Sequence, residues 1–110
     1  MQRVILIYAE NELYKIIGDN IKFYRQLYNI GKDKTNRITQ EKLAELANIS
    51  TSLVGNMESE KIDQGISLFT LYKISTILSI PINHFFVPVE LKKIEEEIGL
   101  FSKKTHSSNR

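Results

Sequence analysis

Apolar residues recur at helical spacing through the first third of the chain. They lie at Leu13, Ile16, Ile17, Ile21, Tyr24 and Leu27. This spacing predicts a first helix that begins at Glu10 or Tyr14 and ends at Tyr28. Gly18 interrupts the stripe. Because an interior glycine costs a helix about 1 kcal/mol relative to alanine, we expect Gly18 to allow close packing against another helix.

Two shorter helices joined by a tight turn are predicted within residues 39–58. Thr39 and Ser50 are residue types that cap helix N-termini, and Asn48 is one that turns tolerate. The apolar positions are Leu43, Ala44, Leu46, Ala47, Leu53, Val54 and Met57. The outer face of the second helix carries small, uncharged residues, which are Thr51, Ser52, Gly55 and Asn56. This layout is typical of a helix-turn-helix that reads DNA.

The following segment predicts two more helices and then an amphipathic one. Ser67 is expected to cap a fourth helix with apolar residues at Leu68, Leu71, Ile74, Ile77 and Leu78. Pro81 cannot continue that helix, so a short fifth helix with Phe85 and Phe86 is expected to start at Asn83. Residues 88–101 place Leu91, Ile94, Ile98 and Phe101 on one side, as in a dimer interface or a helix that folds back on helices one and five.

The two ends of the chain differ in character. Residues 1–9 form an apolar extension whose β-branched residues favour extended structure, packed on the domain or on a second copy. The alternative is that this extension joins a longer first helix. Residues 102–110 have the composition of a disordered basic tail.

The pattern as a whole resembles a known family. It comprises Ile17-Gly18, Ile21, Arg25, Thr39-Gln40, Leu43-Ala44, Ile49-Ser50, Val54, Glu58, Ser67-Leu68, Thr70-Leu71, Ile74-Ser75, Leu78, Ile80-Pro81-Ile82 and Phe85-Phe86. Over residues 16–87 this is similar to the Xre family, the lambda-repressor and Cro class of regulators. The resemblance implies an all-α, five-helix DNA-binding domain at residues 10–87. The loop at residues 29–37 departs from it, since the family crosses the gap from Arg25 to Gln40 with roughly half as many residues.

The resemblance also implies roles for individual residues. Bases would be read by Thr51, Ser52, Gly55 and Asn56. Arg25 and Glu58 would form a structural pair. Charge and position beside the motif, rather than the resemblance, make Lys42, Lys61 and Gln64 candidates for phosphate contact. In the inserted loop, Lys32, Lys34 and Arg37 either contact phosphate or are simply solvated, and the two interpretations have equal weight. The resemblance itself implies that Gln40 contacts the DNA backbone. Gln40 would, in addition, support the reading helix.

Composition argues against several other classes of protein, namely disulfide-bonded, zinc-binding, catalytic and membrane-spanning ones. The chain has 110 residues, a net charge of +2 and no cysteine, which excludes disulfides and cysteine-based zinc sites. His84 and His106 are isolated from other ligand types, and no catalytic motif occurs, so we expect neither an enzyme nor a cofactor. Val4–Ala9 is too short for a membrane span or signal peptide, so a cytoplasmic location is expected.

The sequence therefore predicts a dimeric, sequence-specific repressor that binds double-stranded DNA as a homodimer. The main alternative is an antitoxin-like protein that binds a toxin partner and represses its own operon. A third interpretation is a module that has lost DNA binding and binds proteins instead.

Overall fold

The computed structural model describes residues 4–59 and 65–92, and within these ranges the chain is all-α, with no strand. The α-helices are α1 (Glu10–Asn29), α2 (Gln40–Ala47), α3 (Thr51–Glu58) and α4 (Leu68–Leu78). Short 3-10 helices occupy Lys34–Asn36 and Ile82–Phe86. Residues 89–92 are again helical. The predicted all-α fold is confirmed, although the fifth helix is of the 3-10 type and begins at Ile82, directly after Pro81.

One core joins all four α-helices to the 3-10 helix Ile82–Phe86. Its largest fully buried side chains are Ile21, Leu43, Met57, Ile74, Val54, Asn20 and Phe85. The predicted caps are present, since Thr39, Ser50 and Ser67 each accept a hydrogen bond from the backbone N–H three residues later. Local sequence therefore sets where α2, α3 and α4 begin.

Gly18 marks the closest approach between α1 and α3. A Cβ atom at this position would lie 2.0 Å from the carbonyl oxygen of Met57. Since that separation is far below van der Waals contact, only glycine allows the two helices to pack as they do. The predicted close packing at Gly18 is confirmed.

Asn20 fastens the end of the domain to α1. Its Nδ2 atom lies 2.9 Å from both the Phe85 and the Val87 carbonyl oxygens. Its Oδ1 atom accepts a hydrogen bond from the Lys92 ammonium, which donates a second one to the His84 carbonyl at 2.6 Å. Burial lowers the pKa of Lys92 to about 8. These contacts hold residues 84–92 against the middle of α1.

Four apolar positions differ from expectation, and the first of them is Leu27 near the end of α1, which is 48% exposed. Leu46 is 49% exposed, because it lies roughly 100° around α2 from the face shared by Leu43, Ala44 and Ala47. Leu68 is 73% exposed, since it is the first residue of α4 and lies one turn before the first buried residue, Leu71. Phe86 is 38% exposed, whereas Phe85 is fully buried in the core.

Residues 4–7 of the N-terminal extension neither join α1 nor pack on the domain. The helix begins at Glu10, and the side chains of residues 4–7 are between 67% and 90% exposed. Of the two arrangements expected for this segment, packing on its own domain is therefore wrong for residues 4–7. Packing on a second copy stays a prediction.

Candidate nucleic-acid interface

The turn between α2 and α3 is built from three consecutive residues. Asn48 adopts a left-handed conformation, with φ of 54°, and its N–H group bonds the carbonyls that end α2. Ile49 is half-buried and packs against the core. Ser50 then caps α3 by accepting a hydrogen bond from the Leu53 N–H at 3.0 Å. Together these residues redirect the chain within three positions and fix the angle between the two helices.

The two faces of α3 are sharply different. Val54, Met57 and Glu58 are buried, and Leu53 is half-buried against the core. The side chains of Thr51, Ser52 and Asn56 are exposed. This face therefore presents hydroxyl and amide groups to solvent, which are groups that can donate to and accept from base edges.

Gly55 lies between those exposed residues and has no structural need to be glycine. A Cβ atom there would be 3.9 Å from the Gln40 Oε1 atom, which is an ordinary contact. Its backbone is helical, so no left-handed conformation requires glycine. Because Gly55 has no side chain, the surface of α3 has a shallow depression at this position.

Glu58 joins three helices at the end of α3. Arg25 donates from Nε to Oε2 at 2.7 Å and from Nη2 to Oε1 at 2.8 Å. Gln40, the first residue of α2, donates from Nε2 to Oε1 at 3.1 Å. The side-chain hydrogen bond that Arg25 donates to Glu58 raises the pKa of Arg25 above its usual value. The orientation of α3 is thus fixed from both α1 and α2.

The loop between α1 and α2 has its own hydrogen bonds. Asp33 caps the 3-10 helix Lys34–Asn36 and also accepts from the Thr35 hydroxyl, a bond that lowers the pKa of its carboxyl. Lys32 turns back to α1, where its ammonium bonds the Tyr28 carbonyl at 2.6 Å and lies 3.6 Å from the Tyr28 ring centroid. Arg37 bonds the Lys32 carbonyl through Nε at 2.8 Å.

Asn29 closes the base of that loop. Its Oδ1 atom accepts from the Ile38 N–H at 2.7 Å, and its Nδ2 atom donates to the Ile38 carbonyl at 2.9 Å. Arg25 Nη1 lies 3.4 Å from the same carbonyl. The last residue of α1 is therefore tied to the residue that precedes the Thr39 cap of α2.

Lysines near the helix-turn-helix have different surroundings. Lys73 on α4 donates to the Ala47 carbonyl at 2.5 Å, so it satisfies an end group of α2. Lys42 is half exposed and lies 3.7 Å from the Glu45 carboxylate. An exposed pair at this distance is weak, so the Lys42 ammonium remains accessible to another anion.

Several of the site residues expected from sequence lie outside the described residues. They are Lys61, Gln64, Ile94, Ile98 and Phe101. Leu91, the first of the expected dimer residues, is half exposed within the helical residues 89–92.

Sequence analysis did not identify four residues whose side-chain hydrogen bonds hold the helices of the domain in place. They are Asn20, Asn29, Lys73 and Lys92. All four donate hydrogen bonds to backbone carbonyls between 8 and 67 positions away, a separation that follows no fixed helical or turn spacing. For Asn29 a weak signal existed, because asparagine at the end of a helix commonly bonds nearby backbone groups.

No group of three or more His, Asp or Glu residues in the described ranges is placed to hold a metal ion. Likewise, none of the described helices combines the length and apolar character needed to cross a membrane.

Residues 34–85 match the family model for a helix-turn-helix domain. The matched region begins at the 3-10 helix Lys34–Asn36 and ends at Phe85, so it contains both motif helices and α4. No curated protein matches the sequence.

Proposed function

Residues 34–85 of this chain form an Xre/Cro-like helix-turn-helix domain, a DNA-binding domain, and on that premise we propose that the protein is a sequence-specific, dimeric transcriptional repressor. The observation that carries the proposal is the outer face of α3. Thr51, Ser52 and Asn56 are exposed there, while the opposite face is locked into the core. A helix presented in this way fits the major groove.

The chemistry of α3 favours particular bases. Asn56 can bond the N6 and N7 atoms of adenine together, and the Thr51 methyl group can contact the thymine methyl. The outer face has no arginine or lysine to bond guanine. We therefore expect the core of each half-site to favour A·T pairs.

Backbone contacts would come from the neighbouring elements. Gln40 and the unpaired N–H groups of the first turn of α2 are suited to a phosphate, as are the ammonium of Lys42 and the loop cations Lys34 and Arg37. Lys61 and Gln64 remain candidates outside the described residues. Lys32 is a weaker candidate, because its ammonium is engaged with Tyr28.

A dimer would present two reading helices to successive turns of the duplex, about 34 Å apart. A single α3 offers few base contacts, so we expect two copies of it to bind two half-sites, which distinguishes the operator from other genomic sequences. We place the interface on the amphipathic segment with Leu91, Ile94, Ile98 and Phe101. A cytoplasmic location follows from the role as a repressor.

One observation favours a second candidate function. The apolar side chains at residues 4–7 are exposed, and such a segment is suited to a protein partner. An antitoxin-like protein would use this extension or the C-terminal helix to bind a toxin and would repress its own operon. Copurification with the product of the adjacent gene would favour this alternative.

The deciding experiment is selection of bound sequences from a random duplex pool. We expect a near-palindromic, A·T-rich consensus with half-sites one helical turn apart. Asn56→Ala should then lose roughly 1–3 kcal/mol on the consensus and relax the preference at one base pair per half-site. Failure to enrich any sequence, or an equal loss on every duplex, would contradict base reading by α3.

A further inference from the structure

The backbone of Ile38, two residues before α2, is held by α1 at both its N–H and its carbonyl. Asn29 bonds both the N–H and the carbonyl of Ile38, at 2.7 and 2.9 Å, and Arg25 approaches that carbonyl as well. The Ile38 side chain is 6% exposed and belongs to the core. Residue 38 is therefore fixed through its backbone and its side chain.

The bonds made by Asn29 are not needed for the internal shape of the loop. Gly31 supplies the left-handed turn, with φ of 76°, and Asp33 organises residues 33–36. Arg37 is tied to Lys32 within the loop. Asn29 instead acts at the far end of the loop, where the chain enters α2.

The start of α2 is thus bracketed by two ties. Asn29 holds Ile38 on one side of the Thr39 cap, and Glu58 accepts from Gln40 on the other side. Thr39 itself accepts from the Lys42 N–H, which leaves other N–H groups of the first turn free for a ligand. The position of these donors depends on where residue 38 is held.

Resting on the proposed function, we propose that Asn29 is a positioning residue for DNA binding. Its side-chain amide sets where α2 begins, and so sets where Gln40 and the first-turn N–H groups meet the DNA backbone. Asn29 itself does not contact DNA. Eight residues separate Asn29 from Ile38, and a loop of this length constrains the start of α2 less than a short connection would. The hydrogen bonds from Asn29 to Ile38 supply that constraint.

The first test compares variants of the full chain on the duplex selected with the unaltered protein. Asn29→Ala removes both bonds to Ile38, and we expect about tenfold weaker binding. Asn36→Ala is the matched control, because it removes a side-chain bond to Asp33 in the same loop without touching the tie. It should keep affinity within about twofold. Asn29→Asp keeps the acceptor for the Ile38 N–H, so its affinity should lie between those of Asn29→Ala and Asn36→Ala. This variant still tests the proposal if Asn29→Ala folds poorly.

A double-mutant cycle with Gln40→Ala separates positioning from general stability. If Asn29 acts through the start of α2, its replacement should weaken binding much less in the Gln40→Ala background than alone. Additive losses, or a lower melting temperature with unchanged affinity of the folded protein, would overturn the proposal. Failure of the unaltered protein to bind any selected duplex would overturn the proposed function as well, so the two failures are distinguishable.

Discussion

Arg25 and Glu58 lie 33 positions apart and form a two-point ion pair that fastens the end of α3 to α1. The Glu58 side chain is 2% exposed and the Arg25 side chain 12%. A guanidinium fork matches a carboxylate in direction as well as charge, so the pair sets the orientation of α3.

Removing Arg25 should destabilise the fold strongly. In Arg25→Ala the Glu58 carboxylate would be buried without a cation, and we expect the free energy of unfolding to fall by about 3–5 kcal/mol in urea titrations. Arg25→Lys keeps the charge but loses the fork, so its loss should be smaller. A loss under about 1 kcal/mol for Arg25→Ala, as for an exposed pair, would contradict this role.

Gly55→Ala should separate stability from DNA binding. Since a Cβ there meets Gln40 Oε1 at 3.9 Å, the gain in helix propensity should raise the free energy of unfolding by up to about 1 kcal/mol. If the duplex approaches α3 closely at this position, operator affinity should fall. Gly18→Ala is the matched control, because its Cβ would collide with the Met57 carbonyl and should lower the melting temperature. Unchanged operator affinity for Gly55→Ala would show that the duplex does not approach Gly55.

Lys42 and Lys32 should differ in the salt dependence of binding. Affinity should fall with salt, with a log–log slope of about −0.9 for each phosphate neutralised. Lys42→Ala should reduce that slope by about 1, because its ammonium is accessible. Lys32→Ala should leave the slope unchanged, since its ammonium is held at Tyr28. Equal effects of the two substitutions, measured by fluorescence anisotropy, would count against this distinction.

Lys92 should give stability a specific pH dependence. Its pKa is about 8 in the folded protein, below the usual value of a lysine. Between pH 8 and 9.5 the unfolded chain therefore holds a proton that the folded protein has begun to release, so the free energy of unfolding should rise with pH. The neutral amine keeps N–H donors for Asn20 and His84. Chemical denaturation across this range should show the rise, and Lys92→Met should reduce it; an identical pH profile for Lys92→Met would exclude Lys92 as the cause.

Substitutions in the C-terminal amphipathic segment should abolish the dimer. Introducing charges with the double change Ile94→Glu and Ile98→Glu should shift sedimentation from dimer to monomer, while circular dichroism keeps the helical signal of the domain. Ile5→Glu tests the N-terminal extension in the same assay. If Ile5→Glu alone yields a monomer, the interface lies on residues 4–8 instead.

Local sequence predicted the elements well because their signals are local. Thr39, Ser50 and Ser67 cap helices through bonds to residues three positions away, and Asn48 ends α2 through its own conformation. Leu46 and Leu68 were assigned wrongly because a short helix gives few positions from which to fix its buried face. A leucine contributes to an apolar sequence pattern whether its side chain faces the core or the solvent.

Long-range hydrogen bonds from side chains to backbone carbonyls were beyond prediction from sequence. The Lys73 ammonium and the Ala47 carbonyl that it bonds are 26 positions apart, and Asn20 reaches carbonyls 65 and 67 positions away. Every backbone carbonyl has the same chemistry, so nothing in the sequence identifies the acceptor. The fold brings them together only after the helices have packed.

The division of α3 into two non-overlapping sets of residues has a consequence for how such a protein can change. Val54, Met57 and Glu58 hold the helix, whereas Thr51, Ser52, Gly55 and Asn56 face outward. Under the proposed base reading by α3, exchanging these four residues should change operator preference with little effect on the packing of the domain. Most members of a library randomised at those four codons should fold, and they should differ in the DNA sequences that they bind. The same four positions could vary during evolution without loss of the fold.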